Sequence, residues 1–302
     1  MKILLTLNKT HRGYPDSNQW YVKEPLENLG HDVYQYDTVK GHPGKKTYSQ
    51  IIEEFKPDLI FCMMTGDARI APMEPWQEVE KETDSGRTTT FNWFCDDTWR
   101  FDSFSSLACR SFNVCSTPEK YTLSKYKEIG YNNIIVGNWH ANRRCYNPVN
   151  FTERPYAASF IGAPNPMRVE FFKGVTFPVN FVHNVSQEEL FKFHSSTQIG
   201  INLSRNYNDE SKQTQMKQRL FEIPAGAGLL LTEYHHGIEE LFEINEEMVI
   251  FHNPQELNEQ VVFLKRYPKI AESIAHNGYQ RFLKEHDSHV RLAKLIEKIV
   301  EY

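Results

Sequence analysis

Short apolar runs that alternate with helix-forming segments are the feature that most constrains the fold of this chain. Such runs occupy residues 2–7, 33–36, 59–64, 88–94, 112–116 and 134–136, and then 157–161, 177–182, 199–203, 229–232 and 248–251. Runs of this kind between helices are typical of buried strands in a parallel sheet. Because one polar segment, residues 138–150, separates the two series, the sequence predicts two doubly wound α/β domains.

The charge balance of the chain bears on whether it binds nucleic acid or anionic lipid. Its 302 residues include 34 basic and 39 acidic side chains, which gives a net charge of −5. Such a chain has no overall field that attracts nucleic acid or anionic lipid, although net charge does not exclude a local basic patch. Aromatic residues make up 13% of the chain, and this fraction favours a globular protein over a disordered one.

The cysteines and the N-terminus bear on the compartment. The chain has an odd number of cysteines and no C-x-x-C pair, which favours free thiols over a disulfide framework or a zinc site. The opening apolar run, residues 2–7, is too short for a signal peptide. Since no run approaches the ~20 apolar residues of a membrane span, we expect a cytoplasmic protein without such a span.

The stretch 217–233, KQRLFEIPAGAGLLLTE, is the strongest candidate for a ligand site. It combines the cations Lys217 and Arg219 with Glu222, on a predicted helix over 214–223, and continues through a break of small residues into a strand. Glycine and alanine allow a ligand to approach the backbone closely. A carboxylate can accept hydrogen bonds from a ribose diol, and an arginine fork matches phosphate oxygens.

Helical geometry separates the two cations of this stretch. Residues two apart on a regular helix point ~200° apart, so Lys217 and Arg219 cannot both face one ligand from such a helix. Arg219 lies three residues before Glu222 and shares its face, which makes it the better candidate for a phosphate contact. A surface ion pair between Arg219 and Glu222 is the alternative interpretation.

Several motifs together resemble the CgeB-like, or spore-maturation-type, glycosyltransferases, which are relatives of the retaining nucleotide-sugar transferases with the GT-B fold. Besides 217–233, the resemblance rests on EELF at 239–242, EHDSHVR at 285–291, DDTWRFD at 96–102, STPEKY at 116–121, WHAN at 139–142 and FIGA at 160–163. One departure is the break Ala225-Gly226-Ala227-Gly228, where the family often has Ala-Cys-Gly-Gly.

The resemblance implies a GT-B-like α/β fold, with two Rossmann-like domains whose parallel sheets face an interdomain cleft. We expect an acceptor-side domain over 1–147, a nucleotide-sugar-binding domain over 148–285, and a C-terminal helix over 286–302 that packs back on the first domain. The implied reaction moves a sugar from a nucleoside-diphosphate sugar to a hydroxyl, with retention and without a bound metal or other cofactor. In the resembled family the glutamate that matches Glu222 contacts the ribose hydroxyls of the donor.

Other residues are candidates for donor binding. Arg205 follows the run 199–203 at the rim of the predicted sheet, where a cation would meet a diphosphate. Gly162 precedes a predicted helix whose N-terminus would present N–H groups to phosphate. Gly228 belongs to the small-residue break, and Asn142 lies in the predicted linker. The chain lacks G-x-G-x-x-G and Walker motifs, which disfavours a dinucleotide oxidoreductase or a P-loop NTPase.

Catalytic and acceptor-side candidates are polar residues at predicted strand ends and in the linker. Asp96 and Asp97 follow the run 88–94, and Asp67 follows the run 59–64. We predict catalytic roles for Asp97 and for His140 in the linker, and acceptor-side roles for Asp67 and Asp96. A helix-capping pair and a structural histidine are the competing interpretations. No pair of histidines has a second pair at ligand spacing, so no metal site is predicted.

Three functional alternatives remain open from the sequence. They are a sugar-nucleotide epimerase of the same architecture, a non-catalytic nucleotide- or glycan-binding module, and a phage-type enzyme that glycosylates modified DNA bases. The nucleotide, of UDP or GDP type, the sugar, and the glycan, protein or other hydroxyl acceptor depend on the loops 8–17, 66–73 and 207–212. These loops carry no motif that identifies a ligand.

Overall fold

A computed structural model describes residues 1–11, 13–205 and 213–302, so the predicted specificity loop 207–212 lies outside the described residues. The chain forms two compact units, which are Met1–Asn138 together with Arg291–Tyr302, and Trp139–Val290. These bounds differ from the predicted 1–147, 148–285 and 286–302. The linker belongs to the second unit because Ser288 N donates to Ala141 O at 2.9 Å and Asn147 N donates to Ser195 Oγ at 3.2 Å.

The first unit is built on a parallel six-stranded sheet in the order β2-β1-β3-β4-β5-β6. Its strands are β1 Lys2–Leu7, β2 Asp32–Asp37, β3 Leu59–Cys62, β4 Thr89–Trp93, β5 Val114–Thr117 and β6 Ile134–Val136. Strand β1 lies in the interior of the sheet, where Ile3 pairs with both Val33 and Leu59. Leu4 and Leu5 belong to hydrophobic cores on opposite faces, as the alternation of strand side chains requires.

Helices connect these strands as the alternating pattern predicts. They are α1 Glu24–Asn28, α2 Tyr48–Phe55, α3 Trp76–Ser85, α4 Asp97–Arg100 and α5 Thr122–Glu128, with short turns at Gln19–Lys23, Phe101–Ser105, Ser106–Ala108 and Cys109–Ser111. Two strands of two residues each, Thr10–His11 and Tyr14–Pro15, pair in antiparallel fashion. Helix α2 begins at a capping box, in which Thr47 and Gln50 each bond the backbone N–H of the other.

The second unit has a five-stranded parallel sheet in the order β8-β7-β9-β10-β11. Its strands are β7 Tyr156–Ile161, β8 Asn180–Val182, β9 Thr197–Asn202, β10 Leu229–Glu233 and β11 Val249–Phe251. Because all five run parallel, their carboxyl ends lie at one edge, which is the edge where open α/β sheets bind ligands.

Helices of the second unit are α6 Pro166–Lys173, α7 Gln187–Ser195, α8 Arg219–Ala225, α9 Pro254–Arg266 and α10 Pro268–Arg281, with short turns at Arg143–Cys145, Phe151–Glu153, Ile238–Glu240 and Phe282–His286. The predicted start of α8 at residue 214 is wrong. Thr214 instead forms an antiparallel bridge with Arg205, and the helix begins at Arg219.

The last helix, α11 Ser288–Val300, begins in the second unit and supplies core residues to the first. Its buried side chains pack in one hydrophobic cluster with Ile3 and Leu5 of β1, and they are Leu292, Leu295, Ile296 and Ile299. Residues Arg291–Tyr302 are accordingly part of the first unit. Across the described residues, no helix has the length and apolar character needed to cross a membrane.

Candidate functional site

Two arginines converge on the ring of Phe160 near the carboxyl end of β7. The guanidinium carbons of Arg168 and Arg219 each lie 5.3 Å from the centre of that ring. A Cβ added to Gly162 would lie 2.9 Å from Arg168 Nη1 and 3.3 Å from Arg219 Nη1. A larger residue at position 162, directly after the strand, would therefore displace the guanidinium groups.

Arg219 is held at the carboxyl end of strand β9. Its Nε donates to Asn202 Oδ1 at 3.2 Å, and its Nη2 donates to Leu203 O at 3.4 Å. Asn202 is itself fixed, since its Nδ2 donates to Thr232 Oγ1 at 3.0 Å. Burial, together with the charge of Arg168, lowers the pKa of Arg219 to about 9, while Glu222 acts in the opposite direction.

Arg168 lies in the first turn of α6. Asn165 caps this helix by accepting from Arg168 N at 3.0 Å, and Arg168 Nη1 donates to Ala163 O at 2.9 Å. In the part of the chain that the structure describes, its Nε is buried without a hydrogen-bond partner, and burial lowers the pKa of the guanidinium. Within the described ranges, neither Arg168 nor Arg219 forms an ion pair with a carboxylate. Two desolvated cations without a carboxylate partner favour the binding of an anion.

Glu222 lies on α8, one turn after Arg219, and is only 9% exposed. Its Oε2 is 3.8 Å from His194 Nε2, which is too long for a hydrogen bond. Burial and the charge of Arg219 lower the pKa of His194 to about 3, so the imidazole is neutral at pH 7. The predicted sharing of one helix face by Arg219 and Glu222 agrees with this arrangement, and the alternative of a solvated surface pair does not.

Lys217 and Gly228 flank this helix. Lys217 is half-buried and precedes α8, so the restriction that a regular helix would impose on it does not apply. Gly228 follows the helix, and its N–H donates to Ile223 O at 3.1 Å. Within the small-residue turn, the left-handed conformation is adopted by Ala227, at φ +52°.

Arg205 and Gly162 already have partners among the described residues. Arg205 Nε lies 2.6 Å from Glu233 Oε1, which neutralises the cation predicted to meet a diphosphate. The Gly162 N–H donates to Val182 O at 2.9 Å, so the group predicted to face a phosphate is used by the sheet. The contribution of Gly162 is instead the space that it leaves for the two guanidinium groups.

His140 and Asn142 are buried near the start of the second unit. His140 Nδ1 lies 2.8 Å from Ser288 Oγ, and the carbonyl of His140 accepts from Gln218 Nε2 at 3.2 Å. Asn142 Oδ1 accepts from Arg144 N at 3.0 Å and caps the turn Arg143–Cys145. The contacts are those of structural residues, and the catalytic role of His140 and the donor role of Asn142 stay predictions.

The remaining candidates lie in the first unit. Asp97 is fully buried and accepts from Ser105 Oγ at 2.5 Å and Tyr126 OH at 2.7 Å, while burial raises the pKa of its carboxyl group. Hydrogen bonds from Arg69 lower the pKa of Asp67 to about 2. Asp96 is half-buried directly before α4, and its carbonyl accepts from Arg100 N at 3.0 Å. The catalytic and acceptor-side roles of these residues stay predictions.

Arg168, Asn202 and His194 were not predicted from the sequence. Arg168 offered a signal, since it is a cation in the first helical turn after a strand that ends in glycine, which is a place suited to phosphate. Asn202 and His194 offered none, because an asparagine ending a strand and a histidine ending a helix are ordinary. No group of three or more His, Cys, Asp or Glu side chains suited to a metal ion occurs in the described part of the chain.

Comparison with known families identifies the class of protein. The sequence profile of a family described as "Glycosyl transferase-like" matches residues 129–297, more than half of the chain. The chain therefore belongs to this glycosyltransferase family and to its enzyme class. The comparison with curated proteins found no match.

Solved structures with similar folds cover nearly all of the chain. HepE from Anabaena, in complex with UDP, is 11% identical with a TM-score of 0.64 over 100% of both chains. Sucrose-phosphate synthase from Thermosynechococcus elongatus is 10% identical with a TM-score of 0.65 over 99% of each chain. A DNA-modifying β-glucosyltransferase is 11% identical with a TM-score of 0.64 over 99% of each chain. At these identities the likeness concerns the fold, and it confirms the predicted α/β fold of the GT-B type.

Proposed function

We propose that this chain transfers a sugar from a nucleoside-diphosphate sugar to a hydroxyl acceptor, with Arg168 and Arg219 holding the diphosphate and Glu222 the ribose. The observation that carries the proposal is the pair of guanidinium groups over Phe160, neither of which forms an ion pair with a carboxylate among the described residues. A diphosphate supplies the anionic oxygens that both forks require. Glu222, one turn along α8, supplies an acceptor for the ribose diol.

The relatives and the sequence motifs support this assignment. HepE was solved with UDP and with UDP-glucose, and it has the same fold as this chain. The motifs at 96–102, 139–142, 217–233 and 285–291 resemble those of the CgeB-like enzymes and support the same assignment. As negative charge grows on the leaving diphosphate, two preorganised cations stabilise the transition state. Because the resemblance to the retaining GT-B enzymes implies it, we propose a transfer with retention and without a bound metal.

Ligand binding tests the role of the arginines. Thermal-shift and calorimetric titrations with UDP, GDP, UDP-glucose and GDP-mannose should raise the melting temperature of the wild type for at least one nucleotide. Charge-assisted hydrogen bonds contribute about 1.5–3 kcal/mol each, so Arg168→Gln and Arg219→Gln should each weaken that binding by roughly tenfold or more. Arg110→Gln, in the first unit, is the matched control. A wild type that binds no nucleotide, or unchanged affinity in both variants, would overturn the proposal.

A ribose-dependent comparison tests Glu222 separately. The wild type should bind UDP more tightly than 2′-deoxy-UDP, because the carboxylate loses one hydroxyl partner in the deoxy ligand. In Glu222→Gln this discrimination should shrink, while affinity for inorganic pyrophosphate, which has no ribose, should stay the same. Equal discrimination in the variant and the wild type would remove Glu222 from the ribose site.

Product analysis tests the reaction. The preferred donor would be incubated with oligosaccharides, with protein and with hydroxymethylated DNA, and the anomeric configuration of any product would be read from proton NMR couplings. We expect retention and undiminished rates in EDTA. Inversion of the anomeric configuration would contradict the proposed retention. A loss of activity in EDTA that added divalent cations restore would contradict the proposed metal independence. A converted nucleotide sugar in the absence of acceptor would identify an epimerase.

A further inference from the structure

The corner where α9 meets α10 carries neighbouring apolar side chains that are open to solvent. Val262 is 66% exposed, Phe263 43%, Tyr267 42% and Ile270 43%. The rings of Phe263 and Tyr267 have centroids 4.9 Å apart, so the two aromatic side chains form one continuous surface. Grouped apolar exposure of this kind marks an interaction site more often than isolated exposed residues do.

The same corner is positively charged. Lys265, Arg266 and Lys269 are exposed, and within the described ranges none of them forms an ion pair with a carboxylate. Lys265 Nζ lies 5.4 Å from the centre of the Phe177 ring, so its aliphatic stem runs along apolar surface. Residues 260–271 contain no Asp or Glu, although the whole chain has a net charge of −5.

We propose that this α9–α10 corner, residues 262–270, binds the surface of an anionic lipid bilayer. Phenylalanine, tyrosine and aliphatic side chains enter the boundary between headgroups and acyl chains, and lysine and arginine contact lipid phosphates. The proposal is independent of the donor site and requires no membrane-spanning segment.

A second copy of the chain fits this surface less well. Stable protein interfaces bury roughly 20–30 residues on each side, whereas the corner offers only Val262, Phe263, Tyr267 and Ile270 as exposed apolar residues. A symmetric pair of copies also places the same patch on both sides. The three cations of each copy would then face those of the other, and this repulsion opposes self-association.

Vesicle flotation tests the proposal. The full chain should float with vesicles of equal parts phosphatidylglycerol and phosphatidylcholine, float less in about 0.5 M salt because salt screens the cations, and float little with pure phosphatidylcholine. Two variants remove the two kinds of contact, Val262→Asp/Phe263→Asp and Lys265→Glu/Arg266→Glu/Lys269→Glu. Each should lower the vesicle partition coefficient by about tenfold or more.

Controls of matched chemistry lie elsewhere on the chain. Leu107→Asp changes another exposed apolar residue, and Lys81→Glu/Lys127→Glu/Lys298→Glu changes the net charge by the same amount as the corner variant. Both controls should float much more than the corner variants, and far-UV circular dichroism should be unchanged in all four. Absence of wild-type binding to anionic vesicles, equal losses in the controls, or a wild-type dimer that the corner variants dissociate in sedimentation would overturn the proposal.

Discussion

His194 shows how burial sets the chemistry of a single residue at the candidate site. It lies in the last turn of α7, where its carbonyl group lies against Gly226, and its ring nitrogen Nε2 has no hydrogen-bond partner among the described residues. Its side chain is 4% exposed and lies beside the charge of Arg219, so both burial and charge oppose protonation. The neutral ring therefore adds no positive charge beside Arg219.

A pH-dependent stability follows from His194. Its pKa is about 3 in the folded chain, against an ordinary 6.5. Between these values the unfolded chain binds a proton that the folded chain does not, so stability is complete above pH 6.5 and falls as pH decreases toward 3. The loss by pH 5 is roughly 2 kcal/mol. Urea unfolding at pH 8, 6.5 and 5 should show a smaller decline for His194→Gln than for the wild type, and equal declines would contradict the assignment.

At the residue scale, the sequence predicted Arg219 and Glu222 correctly as neighbours, because residues three apart on a helix share a face. It did not predict that Arg205 would pair with Glu233, since that contact joins the ends of different strands. The proximity of Arg168 to Arg219 could not be predicted from neighbouring sequence positions either, because it depends on strands β7 and β9 being adjacent in the sheet.

The turn between α8 and β10 follows the helix that carries Arg219 and Glu222. Gly226 N donates to Glu222 O at 3.1 Å and Ala227 N to Pro224 O at 2.8 Å, so the turn closes directly on the helix. Ala227 adopts φ +52°, a left-handed conformation that glycine tolerates better than alanine. The resembled pattern Ala-Cys-Gly-Gly has glycine at this position.

Substitutions in this turn should act in opposite directions. Ala227→Gly should stabilise the chain by up to about 1 kcal/mol, because it relieves the left-handed strain at some expense in unfolded-state entropy. Gly226→Ala should destabilise it by about 1–3 kcal/mol, since the new Cβ would lie 2.6 Å from the His194 carbonyl carbon. Urea denaturation of both variants measures these changes. A destabilised Ala227→Gly variant would show that the side-chain methyl contributes packing that outweighs the strain.

At the scale of the whole molecule, the C-terminal helix makes the last residues part of the first core. Leu292 and Ile299 are fully buried there, whereas Val300, the next residue, is 56% exposed. The compact first unit therefore requires residues that lie far from it in the sequence, and the chain returns to the first sheet only after the second unit is complete.

Adjacent positions on this helix provide a matched test. Ile299→Ala should lower the free energy of unfolding by about 2–5 kcal/mol, because it leaves a cavity against β1. Val300→Ala should change it by about 0.5 kcal/mol or less, since the side chain lies at the surface. Urea unfolding followed by circular dichroism and by tryptophan fluorescence measures both. Similar effects at the two positions would contradict the packing of α11 on the first sheet.

Local sequence patterns were sufficient to predict most strands and helices of this protein and their alternation. Residues 2–7 form β1 as predicted, and β6, β7 and β10 follow the predicted runs closely. The physical reason is that the burial of a strand and the periodicity of a helix depend on side chains that are only a few positions apart in the sequence. The start of α8 was not predicted correctly, because Thr214 forms a bridge with Arg205 and is not part of the helix.

Contacts between distant segments determine which charges are neutralised and which remain available to a ligand. Asp97 is buried against Tyr126, and Arg205 is paired with Glu233, whereas Arg168 and Arg219 share the face of Phe160. These outcomes depend on the strand order β8-β7-β9-β10-β11, which places side chains from distant segments at one sheet edge. Electrostatic partnership is set by distance in space, and separation along the chain does not specify that distance.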